Sequence, residues 1–261
     1  MEASESRTQG EHGPDSPAGP VTGSAASVVH RIVADRHDRP SLVSTLACEI
    51  GAEIIEGVRN PGDDLNSVDL SIQYATSRTP IREALMLLEK EGLVDIPPRR
   101  RPRVKKLDWS EIQEIYKARA VLLQLVVREV ALSSTQAQQE VLAAQVEVMR
   151  QACAANDNVA YFWANVEFHE KNTQMAGNRT VKRILDSLLL RTLPLRRISL
   201  SQPQGMTRSC EDHQYLLRAY ADRDHGLAAA IIHSNHMNAL ARLARVFGDR
   251  ERTDGLNGRP E

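Results

Sequence analysis

The residue pattern predicts a mainly α-helical chain, in which three short helices and a β-hairpin precede an all-helical antiparallel bundle. Three observations carry this expectation. Beyond Asp108 the apolar residues recur at helical spacing over long stretches and show no strand-like alternation. Before it the helical runs are shorter, and they end in Leu93-Val94-Asp95-Ile96, a Pro- and Arg-rich turn, and Arg103-Val104-Lys105-Lys106, which reads as a hairpin. Aromatic residues make up only 4% of the chain, so the bundle core is expected to be built from Leu, Val, Ile and Ala.

The elements follow in order. Residues 1–40 are rich in Gly, Pro, Ser and acidic side chains, with almost nothing large and apolar before Val28, and are expected to form a disordered tail. Ser41 offers an N-cap, and Leu42, Leu46, Ile50, Ile54 and Ile55 follow at helical spacing until Gly57, with Asn60-Pro61-Gly62 as a stop. A second short run carries Val68, Leu70 and Tyr74. A third opens at Thr79-Pro80, with the threonine placed to cap, and puts Ile81, Ala84, Leu85 and Leu88 on one face before Glu91-Gly92 closes it. Three helices and the hairpin make a winged helix-turn-helix over residues 41–107. Six apolar-periodic stretches then fill 108–248: Ser110–Leu132, Thr135–Ala155, Val159–Met175, Thr180–Leu193, Met206–Ala221 and Gly226–Phe247. Residues 249–261 are polar and expected to be a flexible tail.

Composition excludes several function classes. The 261 residues, 41% of them hydrophobic, suffice for two domains with real cores. Lys+Arg number 33 against 34 Asp+Glu, so neither a polybasic nucleic-acid binder nor an acidic tail protein is indicated, and any nucleic-acid contact must be local. No apolar stretch reaches the roughly 18 to 20 residues of a membrane span, and no basic-then-apolar leader opens the chain; the expected compartment is the cytoplasm. Cys48, Cys153 and Cys210 are widely spaced and odd in number, which argues against a disulfide framework or a cysteine zinc site.

Locally, charge is far from balanced. Residues 41–106 carry ten basic and ten acidic side chains, yet from Arg78 onward nine are basic and four acidic. Arg78 and Arg82, four residues apart, share the helix face opposite Ile81, Ala84, Leu85 and Leu88. One buried and one basic face is what a helix lying in the DNA major groove requires, and arginine matches the two acceptors of guanine. The expected DNA-binding set is therefore Ser77, Arg78, Thr79, Pro80 and Arg82 for sequence choice, with Arg99, Arg100, Arg101 and Arg103 on the wing for phosphate contact. The bland alternative is a solvated helix followed by a charged turn.

These residues also carry a resemblance. Leu65, Leu70, the run Ser77-Arg-Thr-Pro-Ile-Arg-Glu-Ala-Leu85, Leu88, Glu91-Gly-Leu93 and the arginine-rich wing resemble the N-terminal domain of GntR-family bacterial transcription regulators, with Ser67, Ala75 and Pro102 as departures from the usual pattern. Ile115-Tyr-Lys-Ala-Arg-Ala-Val-Leu122, Asn165-Val-Glu-Phe-His169 with Ala176-Gly-Asn178, and Glu211-Asp-His213 leading to His233, Asn235 and His236 are similar to the FadR-like FCD subgroup, whose helical domain binds effectors. The resemblance implies a ligand-responsive regulator, most often a repressor, acting as a homodimer on a palindromic double-stranded operator and sensing a small organic acid.

It further implies a divalent metal, zinc, nickel or manganese, held by residues that here correspond to Asn165, His169, His213 and either His236 or Asn235. Asn165 stands where the family has an aspartate. The effector is expected against Arg119, Asn165, His169 and His213, although Arg119 has the alternative of a surface ion pair with Glu111, Glu114 or a partner chain. His225 and His233 are read as surface residues. A metal-dependent hydrolase is the weaker class, because Glu167 falls on another face from His169 and neither a nucleophile motif nor a phosphate-binding glycine loop is present. A constitutive architectural DNA binder is the other alternative; it differs by having no effector response.

Overall fold

The computed structural model describes residues 25–34 and 41–257, with side chains described for residues 25–33 and 41–247. The first helix, α1 (Ala25–Ala34), falls inside the stretch expected to be a tail. Ala25, Val28, Val29, Ile32 and Val33 recur at i, i+3, i+4, i+7 and i+8, and all five are buried. Their stripe packs on α2 (Leu42–Glu56), where Gly51 lets the backbone approach Val29 closely. The polar composition of the preceding residues had masked this amphipathic run. The rest of the expected tail, residues 1–24 and 35–40, lies outside the described residues.

Helix α2 is bounded as its sequence dictates. Ser41 and Ser44 form a capping box, and Gly57 ends the helix in the left-handed conformation with φ 75°. Helix α3 (Ser67–Gln73) is capped by Asn66, and α4 (Arg78–Lys90) starts two residues earlier than a Thr79 cap implies, with Ser77 in the N-cap position. Between them Ala75 takes φ 48°, so the turn has the conformation for which the family's glycine would be the easier residue. Ile50, Ile54, Leu70, Ile81, Leu85 and Leu88 close the core of this unit.

The hairpin is shorter than its sequence suggests: β1 (Val94–Asp95) pairs antiparallel with β2 (Arg103–Val104) in the register Val94↔Val104. Its tip is a turn closed by the Arg100 N–H donating to the Pro97 carbonyl at 3.2 Å. Pro98 cannot take positive φ, and Arg99 has φ 60°, which is the signature of a type II turn with arginine where glycine is usual. The far edge of β2 is occupied too. Leu65 N–H donates to Pro102 O, Val104 N–H to Asp63 O, and Gly62 N–H to Val104 O. The loop after α2 thus roots the wing as a third, irregular strand.

The second unit holds the six expected helices: α5 (Trp109–Ser133), α6 (Gln136–Ala154), α7 (Asn158–Met175), α8 (Arg179–Leu200), α9 (Gly205–Ala221) and α10 (His225–Asn257). Helix α8 does not stop before Pro194 but runs through it to Leu200, because Leu195, Ser199 and Leu200 remain in the inward period and are buried. Helix α10 likewise continues to Asn257, past the boundary expected at residue 248. Among the described residues no helix is long and apolar enough to cross a membrane.

The two units meet along α8. Arg191 packs against Gly92 at the end of α4, and Arg197 against Gly57 at the end of α2, so closely that a methyl group at either glycine would stand 2.2 and 1.9 Å from the respective guanidinium. A cation placed at a helix C-terminus is favourable to the dipole and to the unpaired carbonyls there. An Arg31–Glu170 ion pair also ties α1 to α7.

Candidate functional site

The proposed DNA-facing surface is built by α4 and the wing. Ile81, Ala84, Leu85 and Leu88 anchor α4 in the core, which leaves Arg78, Thr79 and Arg82 exposed at its N-terminal half, with Ser77 exposed in front and Pro80 half-buried. Arg99, Arg100 and Arg101 are exposed around the wing tip. Arg103 differs from them: its Nε donates to Asp64 Oδ1 at 2.8 Å, and Arg101 Nη1 lies 3.9 Å from the other oxygen of the same carboxylate. Asp64 therefore partly neutralises the base of the wing, so that Arg103 also has a structural task. Among the described residues no ion pair engages Arg78, Arg82, Arg99 or Arg100.

The second constellation lies inside the bundle. Asn165, His169, His213 and His236 come together from α7, α9 and α10, all four buried. His213 Nδ1 lies 2.6 Å from the Ser209 carbonyl and His236 Nδ1 3.0 Å from that of Ile232, so each Nδ1 carries the proton and each Nε2 lone pair faces inward. His213 Nε2 accepts from Asn165 Nδ2 at 3.2 Å, and His169 Nε2 is 3.4 Å away. The ring centroids of His169 and His236 are 5.9 Å apart. Asn235 is spent elsewhere, donating to Asp212 Oδ2 at 2.9 Å. Of the two candidates for the fourth position, it is His236 that joins the histidine cluster.

Arg119 is buried on α5 and lines the smaller cavity beside His169; among the described residues it makes no surface ion pair. Glu167 pairs with Lys171 on the outside of α7, while His225 and His233 are exposed. The residue that the sequence reading missed is Arg196. Its Nη2 donates to Asn165 Oδ1 at 2.5 Å, and its Nη1 is enclosed without a partner, as are Arg119 Nη1 and Tyr116 Oη. In Leu193-Pro-Leu-Arg-Arg197 a proline and two arginines resemble a solvated helix end. Carrying the period of Leu185, Leu189 and Leu193 through the proline to 196 and 200 would have turned Arg196 inward.

Electrostatically the site is a cationic interior. Burial, then the charges of Arg196 and its neighbours, holds His169 well below the usual histidine range. Burial likewise lowers His213 to about 4, against the opposing hydrogen bond that its Nδ1–H donates to the Ser209 carbonyl, and His236 to about 3 with Arg119 adding to the effect. Burial and the nearby Arg119 bring Arg196 down to about 9, which still leaves it charged at neutral pH. Burial pushes the Tyr116 hydroxyl up to about 12.

Two small cavities flank the cluster. One of about 30 Å³ is lined by Tyr116, Asn165, Ser209, His236 and Arg242, and one of about 20 Å³ by Arg119, Thr173, Asp186 and Leu189. His169 and Arg196 line both and form the partition between them.

A divalent metal does not fit this arrangement. Both polar ends of the Asn165 amide are engaged, no carboxylate joins the histidines, and two guanidiniums supply positive charge where a dication needs negative ligands. Among the described residues no group of three or more His, Cys, Asp or Glu side chains is arranged to hold a metal ion.

Comparison with known proteins adds to the geometry. The family profile described as "Bacterial regulatory proteins, gntR family" matches residues 42–104, and the profile "FCD domain" matches residues 114–239. The chain is 32% identical over 134 residues to the uncharacterized HTH-type transcriptional regulator YdhC of Bacillus subtilis, covering 51% of this chain and 60% of that relative. It is 26% identical over 204 residues to the gluconate operon transcriptional repressor of Bacillus licheniformis, covering 76% and 83% of the two. Among solved structures, E. coli McbR/YncC shares the fold with a TM-score of 0.68 at 19% identity, over 80% of this chain and 100% of the other.

Proposed function

Because the chain belongs to the gntR family of bacterial regulatory proteins, in the branch that carries an FCD domain, we propose that it represses transcription as a homodimer on a palindromic operator and responds to a small organic acid. The family and the relatives are transcription regulators, which sets the hydrolase class aside. The observation that carries the effector reading is the pair of Arg119, which is buried, and Arg196, which is half-buried, each with an enclosed nitrogen that lacks a hydrogen-bond partner. A buried charge without a partner is costly, and an anion is what satisfies it. A constitutive architectural binder would have no use for such a pair. Two relatives named as repressors of a gluconate operon support the repressor sense, and gluconate is itself an organic acid.

In this reading the N-terminal half of α4 enters the major groove and Arg82 reads a base edge, while the wing arginines hold phosphates. FCD domains of the family can bind metals; here the residues favour an anion held by side chains alone. Mobility-shift titrations at several salt concentrations test the DNA part. Arg82→Ala is expected to lose about 1 to 3 kcal/mol of operator binding and relax preference at one base pair, whereas Arg101→Ala weakens all DNA alike and flattens the salt slope by about one ion. If Arg82→Ala left operator and random DNA equally unaffected, α4 would not be the reading helix.

A further inference from the structure

The pocket poses a charge problem that its own side chains leave unsolved. Arg119, buried, and Arg196, half-buried, bring two positive charges into one region, next to three histidines whose surroundings keep them neutral. The carboxylates within reach have other partners: Asp212 accepts from Asn235 and lies 3.6 Å from Arg208, and Asp186, which shares the smaller cavity with Arg119 and offsets part of its charge, is held 2.7 Å from Lys182. Among the described residues Arg196 has a single hydrogen-bond partner, the neutral Asn165.

Space is the second constraint. Cavities of about 20 and 30 Å³ match one or two water molecules, far below the several hundred Å³ of a typical metabolite pocket. Removing the partition would join them. His169 is held in place by packing against Phe168 and His213, whereas Arg196 is a long side chain tied to Asn165 by one hydrogen bond. The flexible member of the partition is therefore the charged one, and an anion entering from either lobe meets it first.

Resting on the effector reading above, we propose that the pocket binds a dianionic organic acid without a metal, one carboxylate taken by Arg119 and the other by Arg196, which leaves Asn165 to do so. Asn165 is then a deliberate weak partner. It satisfies Arg196 in the empty state but, carrying no charge, yields it to a carboxylate, since a bidentate charge-assisted contact is stronger than one hydrogen bond to an amide. An aspartate at this position would hold Arg196 permanently and cancel half of the pocket's charge. The dicarboxylate spans the two former lobes, so its chain length is set by the Arg119 to Arg196 separation in the opened state.

The experiment is calorimetric titration of the full-length chain with malonate, succinate, glutarate and adipate. Butyrate serves as the singly charged control and succinamide as the neutral one. Each titration is run on protein treated with a chelator and dialysed, and again with added Mn²⁺ or Zn²⁺. At least one diacid is expected to bind equally well in both preparations and at least tenfold more tightly than butyrate, with succinamide silent. Arg196→Gln, Arg119→Gln and Asn165→Asp should each weaken it tenfold or more.

Arg119→Gln removes a buried charge, and Arg196→Gln replaces a half-buried one with an amide of similar reach, so both variants should melt close to wild type before ligand is added. A lost response in a folded variant is thus readable. Binding that appears only with added metal, or that survives Arg196→Gln unchanged, overturns the metal-free site while leaving the organic-acid sensor standing. Absence of binding by every diacid in both preparations overturns the dianion assignment. The sensor reading is then decided separately, by whether gluconate or another monocarboxylate shifts operator affinity in a mobility-shift assay.

Discussion

At His213 and His236, burial acts in one direction: the neutral imidazole fits and the cation does not. Their folded values of about 4 and 3 lie below the ordinary value of 6.5, so above that value both states are neutral and the groups contribute no pH dependence. As pH falls below 6.5 the unfolded chain takes up protons that the folded bundle refuses, and stability declines until the folded values are reached. Each histidine adds a slope of about 1.4 kcal/mol per pH unit in that window. Urea midpoints measured from pH 7 to 4 should fall accordingly, and His213→Gln should flatten the decline; an unchanged slope would mean that the ring is not held neutral. Asn165 gives a second test at the same scale. The family resemblance implies that Asn165→Asp creates a metal site, but the geometry places the new carboxylate against Arg196, where an ion pair forms instead. Elemental analysis after growth in zinc- and manganese-supplemented medium should find equal, near-zero metal in wild type and variant. Stoichiometric metal in the variant alone would reverse that assignment.

Helices that were legible in the sequence are those whose ends carry local chemistry. Ser41 with Gly57 fixed α2 to the residue, and the winged helix-turn-helix followed from the Ile81, Ala84, Leu85, Leu88 face and the Leu93–Ile96 run. What escaped were features decided by tertiary partners. Helix α1 is a ten-residue run whose stripe means little until α2 offers Gly51, and α8 beyond Pro194 depends on a bundle that buries Leu195 and Leu200. In the pocket, His169, His213 and Arg119 were recoverable from resemblance, while Arg196 was not, because its inward orientation depends on α8 continuing. That continuation also sets Arg196 and Arg197 side by side, one in the pocket and the other on the α2 cap. A displacement of α8 driven at Arg196 would reach Gly57 through the neighbouring Arg197. Gly57→Ala should cost about 1 to 2 kcal/mol, from the φ of 75° that alanine tolerates poorly and from the displaced Arg197 guanidinium. Denaturation midpoints measure the loss. Arg197→Ala, which keeps the glycine, should leave operator affinity near wild type and diminish its response to ligand; a full response would show that α8 does not signal through this contact.

Across the whole molecule, the two units share a groove of about 660 Å³ lined by Ile54, Leu93, Val104, Trp109, Leu195 and Phe247, so their contact is loosely filled around the arginine-on-glycine docking points. A loosely filled boundary lets one unit shift on the other without opening either core, as a ligand-driven change in operator affinity requires. In the proposed dimer the DNA-reading unit would depend on the bundle for its placement. A single α4 presents only a few side chains to the groove, and useful specificity comes from two copies reading symmetric half-sites. The bundle offers a surface for pairing. Val121, Leu125 and Leu132 on α5 are 58%, 51% and 57% exposed, and at this spacing they fall within an arc of about 40° on one side of the helix. A charge placed in the middle of that stripe should separate the copies at little expense to the monomer, since Leu125 is half in solvent already. Light scattering is expected to give twice 29.0 kDa for wild type and 29.0 kDa for Leu125→Glu, with similar melting temperatures. Operator affinity of the variant should fall at least tenfold, because two independent half-site encounters replace one. A Leu125→Glu protein that remains dimeric and binds operator normally would place the pairing surface elsewhere on the bundle.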